Sequence, residues 1–276
     1  MPELPEVETI RRHLQDILPG RAVEEVLWLD ARLVKNSALT AENMKEFMRG
    51  QRVAQILRRG KFLFVGFERS GHLLLHLGMS GRLTWDASDS PVRPHTHLIL
   101  KFCPGHLRFS DPRRFGRIAW VSDGSPIGLG LGPEPLSKAF TGEDLKERLR
   151  GRTVSIKSAL LNQSIVAGLG NIYADEALFR ARIHPRRRAG SLSLVEVRSL
   201  VRAIRAVLVQ SLEQRGTSFS DYVDALGRPG QNQDYLKVYG REGSACPRCK
   251  RTIARVVIGG RSSHYCPDCQ SLKDRM

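Results

Sequence analysis

The chain opens with a residue pair that could do covalent chemistry, Pro2 followed by Glu3. Removal of Met1 would expose the secondary amine of Pro2. An α-amino group titrates near pH 8, roughly, so a useful fraction of it is uncharged and nucleophilic at neutral pH. Attack of such an amine on a sugar aldehyde carbon gives a cationic iminium, which acidifies the neighbouring C–H bond and favours elimination. The structural alternative is that Pro5 occupies the first turn of a helix, with Glu6 against the positive end of its dipole.

Four of the five cysteines form two Cys-x-x-Cys knuckles, at 246–249 and 266–269, separated by sixteen residues. This spacing is typical of a four-cysteine zinc ribbon, in which the thiolates fill a tetrahedral shell and leave no position for water. We therefore predict one structural zinc ion bound by Cys246, Cys249, Cys266 and Cys269. The residues between the knuckles suit a β-hairpin with Arg261 near its tip, and His264 is not expected to be a ligand.

Two internal motifs combine cations, an aromatic ring and glycines in ways that suit nucleic acid. The segment Asp111-Pro-Arg-Arg-Phe-Gly116 offers groups that can contact phosphate, hydrogen-bond a base edge and stack, and Met79 between glycines could wedge between bases. The turn Gly168-Leu-Gly170 precedes a helix predicted to start near Asn171, and the exposed N–H groups of such a turn can bind phosphate. The structural alternatives are a strand-entry turn with surface arginines for the first motif and a core methionine for Met79.

Two histidines and a lysine are further candidates. His95 and His97 stand two residues apart on a predicted strand and are therefore expected to share a face. A metal pair would need a carboxylate partner, and none lies close in the sequence, so DNA contact or plain surface is the expected role. Lys61 opens another predicted strand directly after a glycine, a position that equally suits an ordinary surface cation.

The charge balance favours a polyanionic partner, because 44 Lys and Arg residues against 28 Asp and Glu residues give a formal net charge of +16. Nucleic acid leads the candidates. An anionic membrane surface is the competitor, but we find no run of about 18 apolar residues and no long basic amphipathic helix in the sequence. The acidic, proline-containing N-terminus does not match a secretory signal, which predicts a cytoplasmic protein. Cys103 follows an apolar run and is expected to be a buried, inert thiol.

The elements that must position these residues fall into two patterns. One helix and then short strands separated by glycine-rich turns occupy the first 130 residues, with strands predicted at 52–56, 62–67, 73–77, 97–102 and 118–121. This density of short strands predicts a β-sandwich or barrel with the helix packed on it. A breaker-rich connection at 128–135 leads into a helical pattern from about 141 to 213. We predict an α+β multidomain fold with domains at 1–130, 131–243 and 244–276.

Over essentially its whole length, the chain resembles the formamidopyrimidine-DNA glycosylase family of bifunctional base-excision enzymes. The resemblance rests on five motifs in the family's order: Pro2-Glu-Leu-Pro-Glu6, His76-Leu-Gly-Met79, Asp111-Pro-Arg-Arg-Phe-Gly116, Gly168-Leu-Gly-Asn-Ile-Tyr-Ala-Asp-Glu176 and the cysteine ribbon. The sister endonuclease VIII group usually carries glycine where this chain has Leu4 and generally lacks the Arg-Arg-Phe motif. The resemblance therefore favours oxidised purines over oxidised pyrimidines as substrates.

The resemblance implies an N-terminal β-sandwich domain, a helical domain with a helix-two-turn-helix and a lesion nucleotide extruded from damaged duplex DNA. It also implies four catalytic roles. Pro2 matches the nucleophile that attacks the sugar C1′, and Glu3 matches the acid that helps to open the sugar ring. Lys61 matches the lysine that transfers a proton in β-elimination, and Arg261 matches the zinc-hairpin arginine associated with phosphate binding and δ-elimination.

DNA contacts are implied in the same way. The side chains that would fill the vacated stack and contact the orphaned base are Met79, Arg113 and Phe115. The residues that match DNA-backbone contacts are His95, Lys157, Asn171 and, by a looser local match, Arg152. The chain departs from the family at Asn232, near which members often have an aromatic residue, so the base-binding loop at 217–235 is expected to make its own contacts.

Two alternatives from the sequence stay open. One is a catalytically silent zinc-ribbon protein that binds DNA and in which Pro2 and Glu3 merely start a helix; a retained Met1 would favour it. The other is an endonuclease VIII-like enzyme for oxidised pyrimidines, which shares the chemistry and differs in its pocket. No sequence feature calls for oligomerisation, so a monomer that acts on damaged double-stranded DNA is the expectation.

Overall fold

The computed structural model of the protein describes residues 2–69, 71–122, 129–219 and 221–272. By packing, the chain forms two compact units. The first contains the chain up to Leu129 together with Leu212–Gln233, and the second contains Gly130–Ser211 and the chain from Asp234 onward. Gly128, where the predicted connection begins, lies outside the described residues. The division into three domains at 130 and 243 stays a prediction.

Among its described residues, the first unit contains two α-helices and eight strands. They are α1 (Leu4–Ile17), β1 (Glu25–Leu29), α2 (Ala41–Met48), β2 (Val53–Arg59), β3 (Phe62–Phe67), β4 (His72–His76), β5 (Arg82–Asp86), β6 (Thr96–Phe102), β7 (Gly105–Ser110) and β8 (Arg117–Val121). The strands form two antiparallel four-stranded sheets, in the orders β1-β6-β7-β5 and β2-β3-β4-β8.

One apolar core joins the two sheets, because inward side chains of both contribute to it, Leu98 and Phe109 from one and Val65 and Leu75 from the other. The apolar face of α1, with Ile10 among its buried residues, packs on the same core. The predicted β-sandwich with a packed helix is therefore confirmed. Its five predicted strands correspond to β2, β3, β4, β6 and β8.

The sequence did not predict α2, β1, β5 or β7. Arg82 begins β5, and the buried polar residues His106 and Arg108 interrupt the apolar pattern of β7. The prediction of a buried Cys103 is wrong, because β6 ends at Phe102 and the Cys103 thiol lies exposed in the turn to β7.

The second part of the chain is helical and ends in a small hairpin. Its elements are α3 (Gly142–Leu149), α4 (Ile156–Leu161), α5 (Asn171–Ala181), α6 (Leu194–Glu213), β9 (Ala254–Ile258) and β10 (Arg261–Tyr265). Helix α5 begins at Asn171, as predicted, after Gly170 at its N-cap. Strands β9 and β10 pair antiparallel around Gly259-Gly260, so Arg261 lies beside the tip, as predicted. Within the described ranges, no helix has both the length and the apolar character that a membrane span requires.

Candidate functional site

The N-terminus of α1 holds the two residues proposed to start the chemistry. Pro2 and Glu3 are both buried, and Glu3 is the N-cap of the helix. The Glu3 backbone N–H donates to Oε2 of Glu6 at 2.8 Å, which is one half of a capping box. The Glu3 side chain therefore stands at the N-terminal end of α1, next to Pro2.

Glu6 also connects this helix start to the predicted base-binding loop. Its second oxygen, Oε1, accepts the backbone N–H of Thr217 at 2.8 Å. The neighbouring Gly216 has φ +87°, and a Cβ there would come within 2.9 Å of that oxygen. The sequence analysis placed Glu6 against the helix dipole, and nothing local pointed to its contact with Thr217.

Lys61 lies in the tight turn between β2 and β3 and is buried. Next to this turn, Arg58 donates from Nε to Oε2 of Glu8 at 3.0 Å and from Nη1 to the carbonyl of Gly60 at 2.9 Å. Both Arg58 and Glu8 are largely buried. The turn that carries Lys61 is therefore attached by this ion pair to α1, the helix that begins beside Pro2.

His76 is a neighbour of Lys61 that opens one of the five sequence motifs but was given no role of its own there. It pairs with Phe62 across β3 and β4, and its Nδ1 accepts the backbone N–H of Gly78 at 3.2 Å. Burial, together with the positive charges of Lys61 and Arg117, lowers the pKa of His76 to about 4. The ring is therefore neutral at physiological pH, with its proton on Nε2.

The loops that carry Met79 and the Arg-Arg-Phe motif meet at their backbones. Gly78 has φ +60°, and a Cβ there would come within 2.6 Å of the Phe115 carbonyl carbon. Arg113 donates from Nε to Oγ of Ser80 at 3.2 Å, and its guanidinium carbon lies 5.7 Å from the centre of the Phe115 ring. Phe115 is 58% exposed and Met79 is half-buried. The structure therefore places the loop that carries Met79 beside the turn that carries Arg113 and Phe115.

His95 and His97 do not share a face, so that prediction is wrong. His95 lies exposed in the turn before β6 with φ +60°, a conformation that a non-glycine residue rarely adopts. His97 is buried, and its carboxylate partner is Asp30, which is distant in sequence. Backbone strain of this kind clusters at functional positions.

In the second unit, Asn171 and the zinc hairpin are joined directly. Asn171 donates from Nδ2 to the carbonyl of Ser262 at 2.9 Å, one residue after the exposed Arg261. Lys157 carries no exposed surface: its ammonium donates to the carbonyl of Asn171 at 2.9 Å and forms an ion pair with the buried Asp175. For Lys157 to reach a phosphate, its ammonium would have to leave Asp175.

Arg152 lies apart from these residues within the same unit. It is exposed, and its Nε donates to the carbonyl of Arg148 at 2.7 Å. With Arg188 and Ser191 it lines a small cavity of about 280 Å³. Two guanidinium groups beside a cavity of this size suit an anionic group.

The four knuckle cysteines converge at the base of the hairpin. The ligand atoms of Cys246, Cys249, Cys266 and Cys269 all lie within 4.8 Å of one another. Four thiols at this separation fit one tetrahedral zinc ion and leave no open position, so the metal would be structural. His264 takes no part, since its ring and backbone nitrogens face the Asp175 carboxylate at 3.2 and 2.9 Å.

Three known domain families match successive parts of the chain. The formamidopyrimidine-DNA glycosylase N-terminal domain matches residues 1–118, the formamidopyrimidine-DNA glycosylase H2TH domain matches 131–223, and the zinc finger found in FPG and IleRS matches 243–272. The formamidopyrimidine-DNA glycosylase of Pelotomaculum thermopropionicum is 46% identical over 99% of this chain and 100% of its own length. That of Paracoccus denitrificans is 44% identical over 98% of this chain and 100% of its own length.

Solved structures give the same result. A complex of a Lactococcus lactis FPG mutant with a Fapy-dG containing DNA superposes with a TM-score of 0.92 at 36% identity, covering 98% of this chain and 100% of that one. MutM in complex with carbocyclic 8-oxo-G containing DNA superposes with a TM-score of 0.90 at 36% identity and the same coverage.

The fold and the cysteine cluster define a zinc-finger protein of the H2TH class. The chain belongs to the formamidopyrimidine-DNA glycosylase family, whose members are bifunctional glycosylases and abasic-site lyases. The zinc finger and the four thiols together assign it one structural zinc ion.

Proposed function

We propose that this protein is a base-excision repair enzyme that removes oxidised purines, 8-oxoguanine and formamidopyrimidines, from duplex DNA and then cleaves the strand by β,δ-elimination. The observation that carries the proposal is the full-length match to curated formamidopyrimidine-DNA glycosylases, in which the N-terminal domain is matched from residue 1. The similar structures bound to Fapy-dG and 8-oxo-G containing DNA support the choice of purines.

Pro2, freed by removal of Met1, is the proposed nucleophile. A new C1′–N bond replaces the glycosidic bond, whose electron pair leaves with the base and is protonated there. The Glu3 carboxylate is proposed to take up the amine proton; the nitrogen lone pair then expels the sugar ring oxygen, and Glu3 passes that proton to the oxygen. The result is an iminium ion. Burial of Pro2 and Glu3 supports this chemistry, because exclusion of water strengthens local electrostatic interactions.

The iminium acidifies the C2′ proton, which prepares the strand for two eliminations. Lys61 is the proposed proton carrier for the first, in which the C2′–H bond breaks and the 3′-phosphate leaves. Arg261 is the proposed phosphate partner for the second, δ-elimination. Its exposed place at the hairpin tip and its neighbour Asn171 support a role at the backbone.

DNA contacts are proposed for seven side chains. Met79, Arg113 and Phe115 would fill the gap left by the extruded nucleotide. The contact of Arg113 with the Phe115 ring and the approach of the Met79 loop to Phe115 support this role. The residues proposed to contact the DNA backbone are His95, Arg152, Lys157 and Asn171. Because the ammonium of Lys157 is buried against Asp175, its contribution requires movement or acts through Asn171.

The proposed partner is damaged double-stranded DNA, bound by a monomer in the bacterial cytoplasm. Family relatives from bacteria support the location, and the net charge of +16 supports a polyanionic partner. The oligomeric state is tested by sedimentation with and without duplex DNA; a stable dimer would contradict it.

The proposed nucleophile is tested by trapping. Borohydride added during reaction with an 8-oxoguanine duplex should reduce the iminium and leave a covalent protein–DNA crosslink, mapped by mass spectrometry to the N-terminal peptide. Pro2→Gly should lose most lyase activity, whereas Pro5→Ala, in the same helix turn, should still crosslink. No crosslink in the wild type, or full lyase activity in Pro2→Gly, would overturn the proposal. A retained Met1 would favour a DNA-binding protein without catalysis.

A second candidate substrate is oxidised pyrimidine. A structure of Lactococcus lactis FPG in complex with an oxidised pyrimidine containing DNA superposes on this chain with a TM-score of 0.90 at 36% identity. Side-by-side cleavage of duplexes that carry 8-oxoguanine or thymine glycol separates the two. We expect faster excision of 8-oxoguanine; faster excision of thymine glycol would assign the protein to pyrimidine repair.

A further inference from the structure

A buried histidine in the first unit, His97, is not used by the proposed chemistry, yet the fold directs it to a specific place. In the pairing of β6 with β7, Thr96 lies opposite Ser110 and Leu98 lies opposite Phe109, so His97 is the extra residue of a β-bulge. A bulge bends its strand and re-aims the side chain that it carries. His97 is 3% exposed, and its ring points to polar partners rather than into the apolar core.

Both ring nitrogens of His97 face groups that can only accept. Nδ1 lies 3.0 Å from Oδ2 of Asp30, and Nε2 lies 2.9 Å from the backbone carbonyl oxygen of Asp111. Side-chain hydrogen bonds from Arg32 to both oxygens hold the pKa of Asp30 well below its usual range, so this carboxylate is ionised and has no proton to donate. A neutral imidazole would set a lone pair against one of the two oxygens, whereas an imidazolium satisfies both.

Asp111 transmits the position of His97 to the candidate DNA contacts. Its backbone N–H donates to the carbonyl of His95 at 3.0 Å while its carbonyl accepts from His97, so the residue is held on both sides. Its buried carboxylate accepts from Ser80 Oγ at 2.6 Å and from the Gly116 N–H at 2.7 Å. Ser80 Oγ in turn accepts from Arg113 Nε, as described above.

We propose that His97 is a positioning residue that carries both ring protons and, through Asp111 and Ser80, holds Arg113 in the conformation that engages DNA. The charged and titratable groups that face it are Asp30, with its partner Arg32, and Asp111. This inference rests on the proposed function, because it assigns Arg113 to the DNA contact. In this proposal His97 affects DNA binding through other residues and makes no contact with the nucleic acid itself.

The protonation state is tested by nitrogen NMR of the histidine rings in the intact zinc-loaded protein at pH 7.5. Both nitrogens of His97 should carry a proton in the wild type. In Asp30→Asn, which keeps the histidine and removes the facing charge, one ring proton should be lost. A wild-type ring with one unprotonated nitrogen would overturn the proposal.

The positioning role is tested by a double-mutant cycle on binding to a duplex with a tetrahydrofuran abasic-site analogue. His97→Gln offers a donor to one acceptor only, and should weaken binding roughly tenfold, the scale of one lost hydrogen bond to a charged group. Arg113→Ala should weaken binding in the wild type but add less than about twofold in the His97→Gln background, because both changes remove the same contact.

Additive effects of the two substitutions would overturn the proposal. His106→Gln is the matched control, since it also alters a buried histidine of the same sheet and should leave binding unchanged at equal loss of thermal stability. If the wild type fails to crosslink under borohydride, the proposed function fails. The NMR experiment and the double-mutant cycle on binding do not depend on catalysis. They therefore still test the role of His97 if the proposed function fails.

Discussion

At the scale of single residues, the candidate site is built from buried charges that each have defined partners. Glu6 accepts two backbone N–H groups, and Asp111 accepts from Ser80 and Gly116. A buried carboxylate in this situation contributes little net stability, but removal of a partner leaves an unpaired charge and costs several kcal/mol, roughly. Such groups therefore fix geometry more than they add stability.

His76 provides a pH-dependent prediction at this scale. Its folded-state pKa of about 4 lies below the ordinary value of 6.5, so between pH 4 and pH 6.5 the unfolded chain binds a proton that the folded chain does not. Stability attributable to His76 is therefore present above pH 6.5 and is lost as pH falls towards 4, by roughly 3 kcal/mol in full. The free energy of unfolding, measured with urea from pH 7 to pH 4, should fall less steeply for His76→Gln than for the wild type. The exposed His95→Gln should keep the wild-type slope, and an unchanged slope in His76→Gln would contradict the prediction.

At the scale of elements, short irregularities in regular strands and helices aim the functional side chains. The capping box starts α1 at Glu3, the β2–β3 turn carries Lys61, and a bulge in β6 directs His97. Gly78 allows the Met79 loop to approach the Arg-Arg-Phe turn at backbone distance. The strands form a rigid framework, and these irregularities determine where the functional side chains point.

Gly78→Ala tests this close approach. A Cβ at Gly78 meets backbone atoms that cannot rotate away, and the residue also has φ +60°, so we expect a loss of stability above the roughly 1 kcal/mol of an unfavourable φ alone, and weaker binding of abasic-analogue duplex. Gly20→Ala is the matched control: φ is +79° and the added Cβ meets no described atom within 4 Å. Equal losses in the two variants, measured by urea unfolding, would mean that the contact with Phe115 is unimportant.

The zinc hairpin gives the second prediction for an element. Cys249→Ser leaves three thiolates, so zinc content should fall and the β9–β10 hairpin that carries Arg261 should lose its order. Binding to abasic-analogue duplex should then weaken by at least tenfold, while the N-terminal amine keeps its reactivity towards a small aldehyde. Cys103→Ser, at an exposed cysteine outside the knuckles, should change neither zinc content nor binding. Tight binding by a zinc-free Cys249→Ser protein would contradict this role of the hairpin.

At the scale of the whole molecule, the excess of positive charge governs association with DNA. A net charge of +16 draws a polyanion by long-range attraction, and each phosphate that is neutralised releases counterions. The position of the charge on individual side chains then matters less for affinity than the number of phosphates contacted.

A salt titration of DNA binding tests the role of the phosphate contacts. The logarithm of the binding constant should fall steeply with the logarithm of salt concentration, by about 0.9 per phosphate neutralised. Arg152→Gln should lower the slope by about 1, because it removes one proposed phosphate contact. Arg198→Gln removes an equal charge from an exposed arginine that pairs with Glu143, and should leave the slope unchanged. A flat salt response of the wild type would rule out docking dominated by phosphate contacts.

The sequence by itself determined the parts of this protein that depend on local spacing. Two knuckles specify the four-thiol cluster, the glycines before Asn171 specify the start of α5, and Phe62–Phe67 forms a strand at the predicted residues. Each of these depends on residues that stay close along the chain, so the pattern of residue types is enough to predict them.

Tertiary structure alone decided which distant groups became partners. Glu6 and Thr217 are 211 residues apart, His97 and Asp30 are 67 apart, and neither pairing has a local signature. It also turned Lys157 inward to Asp175, and it left Cys103 exposed, against the expectation from the apolar residues before it in the sequence. The physical reason is that burial and pairing of polar groups follow from how sheets and helices pack, and one short segment does not contain that information.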